Sequence, residues 1–306
     1  MAIGTVAEMP ALAALANPAL AGAIKSIAQA LIGFLLLAGL FWVMESLWPE
    51  QRHQPKWRRD SFTDMLYWFA GYGIRAVASF LTLVVIVAVV IFIPHTGIPA
   101  IASQPGWLQV IEVIVIGDVL GYWSHRIFHK TPLLWPFHAV HHSPEQVDWL
   151  SAARVHPLDT IVSRMVTVLP LFLLGYSHLT LGGYAIFLAV YPIYLHANVS
   201  WDYGPFRWLI ASPAYHRWHH ASDVEALDKN FSGLLPVVDI IFGTAYFPKG
   251  RHPVSYGLYR EQMPRGIMRQ WAYPFHRKQS AATPPNLLPE RQPVQQVNQF
   301  NQAQRW

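Results

Sequence analysis

This sequence predicts an all-α, polytopic membrane helical bundle. About four to five membrane segments, including one short hairpin, carry a cytoplasmic, histidine-rich di-metal cap. Three observations predict it. The 306 residues are 53% hydrophobic and only 13% charged, about half the charged share of ordinary soluble domains, and the mean hydropathy is +0.25. Uncharged or nearly uncharged runs long enough to cross a bilayer recur along the chain. Fifteen histidines stand beside seventeen acids, with no cysteine at all.

The absent cysteines exclude disulfide staples, thiolate zinc sites, cysteine-ligated iron–sulfur clusters and cysteine nucleophiles. Any metal must then be held by nitrogen or oxygen. The net charge is +5, but the basic residues are scattered. They read as membrane-facing loop charges rather than as a nucleic-acid surface.

The elements follow in order. Residues 1–25 form an Ala-rich N-terminal segment without the basic start of a cleaved signal peptide. Residues 26–278 are the membrane domain, and 279–306, rich in Pro, Gln and Asn, read as a disordered tail. Ser26 to Met44 is an uncharged run of 19 residues, enough for one crossing. Met65 to Ile93 is apolar apart from Arg75 and reads as one long or broken crossing. Trp107 to His129 is a third crossing, interrupted by Glu112 and Asp118. Residues 130–158 are polar and histidine-rich. Met165 to Trp201 then runs 37 residues without Asp, Glu, Lys or Arg. It is too long for one crossing and tight for two, so it reads as a short helical hairpin, with Gly175, Gly182 and Gly183 marking the turn.

Charge orients the bundle. The 47–61 loop holds four Lys/Arg, the 94–106 loop none, and residues 207–306 twelve. The positive-inside rule places the 47–61 loop, the 130–158 loop and the C-terminal third in the cytoplasm. The expectation is an integral membrane protein, of a bacterial inner membrane in preference to the endoplasmic reticulum.

Three histidine clusters carry the chemistry: His125-Arg-Ile-Phe-His129, His138-Ala-Val-His141-His142 and His216-Arg-Trp-His219-His220. Helix positions i, i+3 and i+4 share a face, so each cluster can aim two or three imidazoles at one point. Imidazole suits iron, copper, nickel and zinc. Eight ligands exceed what one four-coordinate zinc needs, and two metals are the economical reading. An isolated histidine near a membrane end is usually an interfacial residue; three clusters at ligand spacing are not isolated. At 100° per residue, Asp118, Tyr122, His125 and His129 share a helix face. Asp118, the candidate catalytic residue, would accept a hydrogen bond from the far nitrogen of a ligand histidine and fix its ring. A helix–helix hydrogen bond or a water contact is the alternative use of that carboxylate.

The pattern HxxxH, eight residues, HxxHH, an apolar hairpin and HxxHH resembles the fatty acid hydroxylase / sterol desaturase superfamily of membrane di-iron oxygenases. The flanking text matches too: Asp118-Val-Leu-Gly-Tyr-Trp-Ser-His125-Arg126, Leu134-Trp135-Pro-Phe137-His138, Phe231-Ser-Gly-Leu-Leu after Asp228-Lys229-Asn230, and Asp239-Ile-Ile-Phe-Gly243-Thr244. The resemblance covers roughly residues 60–250. It implies that His125, His129, His138, His141, His142, His216, His219 and His220 bind two iron ions. It also implies a further ligand just before the last cluster, where His196 stands, and it makes His156 in Arg154-Val-His-Pro157 a tenth candidate, with a loop or helix-start role before the proline as the competing reading. His53, His95, His178, His252 and His276 fall outside the motifs, and the topology puts His95 and His178 on the opposite side of the membrane.

Neighbouring classes fit less well. Acyl-CoA desaturases, alkane hydroxylases and carotenoid hydroxylases carry different histidine boxes. Soluble di-iron carboxylate proteins need two Glu-x-x-His pairs, and this chain has only Glu50-x-x-His53, beside Pro55. HExxH, Walker A and G-x-S-x-G are absent.

The implied activity is O2-dependent hydroxylation of an unactivated C–H bond of a lipid: fatty acyl, sterol or a related substrate. A desaturase of the same family is the alternative, and a non-catalytic membrane metal protein is the reading from a different class. Phe128, Trp135, Phe137, Trp149 and Trp218 are candidate walls for the lipid, or else interfacial anchors. The chain has no rubredoxin or ferredoxin cysteines, no His-Pro-Gly-Gly of a fused cytochrome b5 and no G-x-G-x-x-G fingerprint. The expected electron donor is therefore external: a ferredoxin, rubredoxin or cytochrome b5-type carrier with its reductase, docking on a basic surface that includes Lys229, Lys249 and Arg251.

Overall fold

A computed structural model describes residues 18–92 and 98–276. The expected tail, His95 and most of the N-terminal segment lie outside the described residues. Met1–Pro274 is one compact unit, and of the second unit, Phe275–Trp306, only residues 275 and 276 are described.

The described residues are helical, with no strand and two isolated bridges, Pro49 to Val199 and Ala221 to Tyr256. In chain order the helices are α1 (Pro18–Leu47), α2 (Ser61–Phe92), α3 (Pro99–Ala102), α4 (Gly106–Lys130), α5 (Trp135–His142), α6 (Pro157–Leu174), α7 (His178–His196), α8 (Pro213–His219), α9 (Pro236–Ile241) and α10 (Ile267–His276). Five of them, α1, α2, α4, α6 and α7, contain segments long and apolar enough to cross a membrane. Their outer faces are apolar and exposed, for example Ile27, Leu36, Phe80 and Ile91, each at least 64% accessible. Such surface is stable only against lipid or another apolar partner.

Two of the long helices differ from the sequence expectation, and for the second the unbroken of the two expected alternatives holds. The first is already helical at Pro18, the first residue described there, rather than from Ser26, because an Ala-rich lead-in with Lys25 is part of the helix. The second is one unbroken helix across Arg75. The hairpin is longer than the apolar run predicts, since its first arm starts at Pro157 rather than Met165. Pro157 opens α6 at a position where its missing N–H costs nothing. Arms of 18 and 19 residues reach about 27–28 Å, close to the thickness of a bilayer core. Of the three glycines only Gly175 lies in the turn, in the left-handed region at φ 97, where glycine has no Cβ to clash. Gly182 and Gly183 lie inside α7.

Alternation of these helices brings the C-terminal ends of α1, α4 and α7 and the N-terminal ends of α2 and α6 to one side. Backbone contacts tie this end. Glu45, buried near the end of α1, accepts from the N–H groups of Trp149 (3.2 Å) and Asn198 (2.9 Å). Asn198 in turn receives Gln51 N–H at 2.9 Å and donates to Gln51 O at 3.1 Å. At the opposite end Ile98 N–H donates to Leu174 O (2.9 Å), and Tyr176 OH donates to Glu112 (2.9 Å).

Two buried Arg–Asp pairs hold the segment after α5 against the start of α2. Arg58 bonds Asp148 and Asp64, and Arg154 Nε donates to Asp64 at 2.6 Å. All four residues are under 5% exposed. Asp148 also caps the 3-10 turn Trp149–Ala153 by accepting from Leu150 and Ser151. Two positive and two negative charges satisfy each other, so no net charge is buried. Replacing Asp64 by Ala leaves two desolvated guanidinium groups short of a partner. The expected loss is about 3–5 kcal/mol of stability, read as a fall in unfolding free energy in detergent; a loss under about 1 kcal/mol contradicts a structural role for the network.

Candidate metal centre

The cap helices are short and sharply started. Ser212 accepts from Tyr215 N–H at 3.1 Å and Pro213 follows at the first helical position, which fixes α8 and its three histidines. In α5 Pro136 stands at the second position of the first turn, without a side-chain cap. Each HxxHH motif then divides by helix geometry. In α5 the i, i+4 pair His138 and His142 joins His125, His129 and His219, while the i+3 residue His141 joins His196, His216 and His220. In α8 the sense is reversed: His216 and His220 enter the second group and His219 the first. Positions three and four residues on lie on either side of the helix face, which explains the doubled histidine. The result is one group of five and one of four, the nitrogens of each within 4.8 Å of one another.

The outer nitrogen of most rings is held. Nδ1 of His125 faces Phe231 O (2.8 Å), of His138 Asp159 (2.8 Å), of His141 Arg154 O (3.1 Å), of His196 Pro192 O (2.7 Å) and of His219 Lys229 O (2.8 Å). His129 Nδ1 lies 3.4 Å from Asp228. These partners are acceptors only, so the proton is assigned to Nδ1 and the inner Nε2 carries a lone pair. Nε2 of His125 is 3.0 Å from Nε2 of His138, and Nε2 of His141 is 3.2 Å from Nε2 of His196. Two lone pairs facing each other across a dry gap repel unless a cation or a proton lies between them.

A proton is a poor candidate. Burial first, then the neighbouring imidazoles, hold His141, His142, His216, His219 and His220 well below the ordinary histidine range. Nε2 of His219 is buried with no hydrogen-bond partner among the described residues. Ligand nitrogens on one metal with bonds of about 2.0–2.1 Å sit about 2.9–3.4 Å apart at adjacent octahedral or tetrahedral positions. The observed Nε2 spacings of 3.0–3.4 Å within the groups match this. The donor set is all nitrogen, suited to divalent first-row metals, and the residues present fit two such ions.

Of the predicted site residues, nine histidines are thus brought together. His156 is not. It starts α6: its Nδ1 accepts from Leu158 N–H at 3.1 Å and its Nε2 donates to Trp271 O at 3.0 Å. The proline that follows makes it an N-cap, as the competing reading expected. Asp118 also departs from expectation. It takes no histidine; its carboxylate accepts from the backbone N–H groups of Gly233 (3.0 Å), Leu234 (2.7 Å) and Leu235 (2.9 Å). The carboxylates that do meet histidines, Asp159 and Asp228, were not singled out by the sequence. Asp159 alone left a trace: an acid in the first turn of an apolar helix, four residues before Ser163, which donates to it at 3.0 Å.

Aromatic rings wall the centre. Trp135 lies 5.1 Å from His129 and 5.7 Å from His142, and Phe231 5.0 Å from His129, between ring centroids. Phe128 packs 5.8 Å from His138. Phe137 meets His156, Trp149 stacks on Phe41 and Trp218 meets Tyr246 edge to face, so these three are packing residues of the cap.

The sequence profile of fatty acid hydroxylases matches residues 110–244, the interval that holds all nine clustered histidines. This interval, under half of the chain, is similar to the fatty acid hydroxylase family. It is 30% identical to an ornithine lipid hydroxylase of Rhizobium tropici over 57% of this chain and 52% of that protein. It is 32% identical to the alkylglycerol monooxygenase of Danio rerio over 55% of this chain and 35% of that protein, and 26% identical to methylsterol monooxygenase 2-2 of Arabidopsis thaliana over 46% and 54%. The chain thus spans about half or less of the length of these relatives. No solved structure matches it.

The electrostatics of the histidine groups give a pH prediction for the metal-free protein. The buried imidazoles stay neutral when folded but take up protons near pH 6.5 when unfolded. Depressed folded values mean the stability they permit is complete above about pH 6.5 and is lost as pH falls below it. Melting temperature of the chelator-treated protein in detergent, measured from pH 8 to 5, should be flat above about pH 7 and drop steeply below 6.5; a flat profile down to pH 5 contradicts the buried neutral cluster.

Proposed function

We propose that this chain is a membrane-bound di-iron oxygenase that uses O2 to hydroxylate an unactivated C–H bond of a membrane lipid. The observation that supports this most directly is the pair of adjacent, all-nitrogen groups at the ends of apolar helices. Iron bound there would supply O2 activation and the redox change that C–H cleavage needs, which redox-inert zinc does not. His125, His129, His138, His142 and His219 would hold one ion, and His141, His196, His216 and His220 the other. Asp159, Asp228 and the carbonyls of Arg154, Pro192, Lys229 and Phe231 fix the imidazoles. Phe128, Trp135 and Phe231 exclude water from the reacting carbon.

A lipid substrate is supported by the apolar, exposed faces of the five long helices and by the relatives, whose names state hydroxylation of ornithine lipid and oxygenation of alkylglycerol and methylsterol. The positive-inside rule favours a cytoplasmic cap. There the two electrons per turnover would come from a separate carrier of ferredoxin, rubredoxin or cytochrome b5 type.

Membranes holding the wild-type protein and the His219→Ala variant should differ in lipid mass spectra. The wild type adds one oxygen to one lipid class and the variant loses the product by at least about a hundredfold, as expected when a reaction depends wholly on the bound ion. A loss of two hydrogens instead would make the enzyme a desaturase. No O2-dependent difference, together with activity retained on zinc alone, would favour a non-catalytic metal protein. Lys249 and Arg251 are exposed and Lys229 half-buried. Reversing their charges should slow reduction by an acidic carrier most at low salt, measured by stopped-flow spectroscopy; rates unchanged at every ionic strength would exclude this docking surface.

A further inference from the structure

We propose that the two nitrogen groups are inequivalent, that the five-nitrogen group is the tighter and first-filled metal position, and that Asp228 is its positioning residue. The inference rests on the two-metal reading and concerns how the metals are distributed within it.

The asymmetry lies in what stands behind the imidazoles. In the five-nitrogen group two rings face carboxylates: His138 meets Asp159 at 2.8 Å, and His129 lies 3.4 Å from Asp228. In the four-nitrogen group His141 and His196 face neutral carbonyls, of Arg154 and Pro192. Among the described residues no carboxylate pairs with any of its four rings. A carboxylate behind a ligand imidazole raises its basicity and fixes its tautomer. Two such rings and one extra nitrogen favour the first group. In a six-coordinate ion, five protein nitrogens leave one open position and four leave two. The less saturated position is then the one with more room for an exogenous ligand.

A single loop controls the first group. Lys229 O and Phe231 O accept from His219 and His125, and the Asp228 carboxylate lies 3.4 Å from His129 Nδ1. To turn three acceptors inward within four residues, the backbone adopts φ 58 at both Asp228 and Asn230, a region that Asp and Asn tolerate better than other non-glycine residues. Other contacts hold the loop independently of Asp228. Asn230 donates to Tyr215 O (3.2 Å) and Tyr246 O (2.7 Å), and Asp239 accepts from Phe231 N–H and Ser232 N–H, both at 2.8 Å. On its outer side Asp228 receives Lys130, whose side chain is 53% exposed. Asp228 therefore links an exposed cation to a ligand ring, and changing its charge leaves the loop's own anchors in place.

The experiment is an anaerobic titration of the metal-free, detergent-solubilised full chain with 57Fe(II), followed by Mössbauer spectroscopy and equilibrium dialysis. The wild type should fill in two steps separated by about tenfold or more, with one quadrupole doublet dominating at one iron per chain. His196→Ala removes a nitrogen from the four-nitrogen group only, so the doublet it alters must be the later one. Asp228→Asn tolerates the same backbone and keeps an acceptor oxygen but loses the charge. It should weaken the first step by about ten- to a hundredfold and leave the second unchanged. Asp159→Asn, on a different helix, should act on the same step and covers the case in which the first variant fails to fold. Two doublets growing together up to two irons per chain overturn the inference while leaving the two-metal reading intact, as does an Asp228→Asn effect shared equally by both steps. Saturation at one iron per chain overturns the two-metal reading and the inference with it.

Discussion

Nine imidazoles must point their lone pairs into one dry space, and that single requirement shapes the rest of the cap. A neutral imidazole has one donor and one acceptor. If the acceptor faces inward, the donor must find an oxygen outside, or it is buried unsatisfied at a cost of about 1–3 kcal/mol. The irregular segments of the cap supply those oxygens: Arg154 O from the segment after α5, Lys229 O and Phe231 O from the loop after α8, and Pro192 O from α7. Pro192 O lies one turn before His196 in the same helix, so the ring of His196 reaches back to the backbone of its own helix.

Those oxygens are only as well placed as the segments that carry them, and here the few charges of the chain are spent. Asp118 gathers three successive backbone amides, Gly233 to Leu235, and Asp239 gathers those of Phe231 and Ser232 together with the hydroxyls of Thr244 (2.7 Å) and Tyr215 (2.9 Å). Each carboxylate is buried, at 8% and 0% exposure, and each is satisfied by donors rather than by an opposite charge. Arg154 shows the other solution. Its side chain is locked between Asp64 and Ser143 while its carbonyl orients His141. One residue thus couples the ion network at the start of α2 to a ring of the four-nitrogen group.

The sequence made the helices and the nitrogen donors legible, because hydropathy and i, i+3, i+4 spacing are local signals. Even the division of each HxxHH motif follows from helix geometry once two groups are granted. What was not legible depends on contacts between distant segments. Asp118 has the right helical phase to meet His125, yet a loop more than a hundred residues later claims its carboxylate. Asp228 looks like an ordinary turn residue until the fold sets it beside His129. His156 has the residue type of a ligand and the position of a cap, and the following proline decides between them. The start of α6 was hidden because Asp159 and Arg164 break the apolar run; Asp159 is 5% exposed since its partner is His138, which no window of sequence around α6 contains.

The same reasoning explains why left-handed residues persist beside the histidines. A non-glycine residue in that region costs roughly 1–2 kcal/mol, somewhat less for Asp and Asn. A loop free to relax would return to an ordinary turn. The loop from Asp228 to Phe231 is not free: Asn230 N–H donates to Thr244 O at 2.9 Å, its side chain bridges two further carbonyls and accepts from Tyr246 N–H at 2.7 Å, and Asp239 holds the next two amides. Six hydrogen bonds of about 1 kcal/mol each exceed the combined backbone cost of the two left-handed residues. The conformation they enforce is the one that presents Asp228, Lys229 O and Phe231 O to three rings at once. Strain at a site survives only where its surroundings over-determine it, and here the surroundings are a ring of buried amides and hydroxyls.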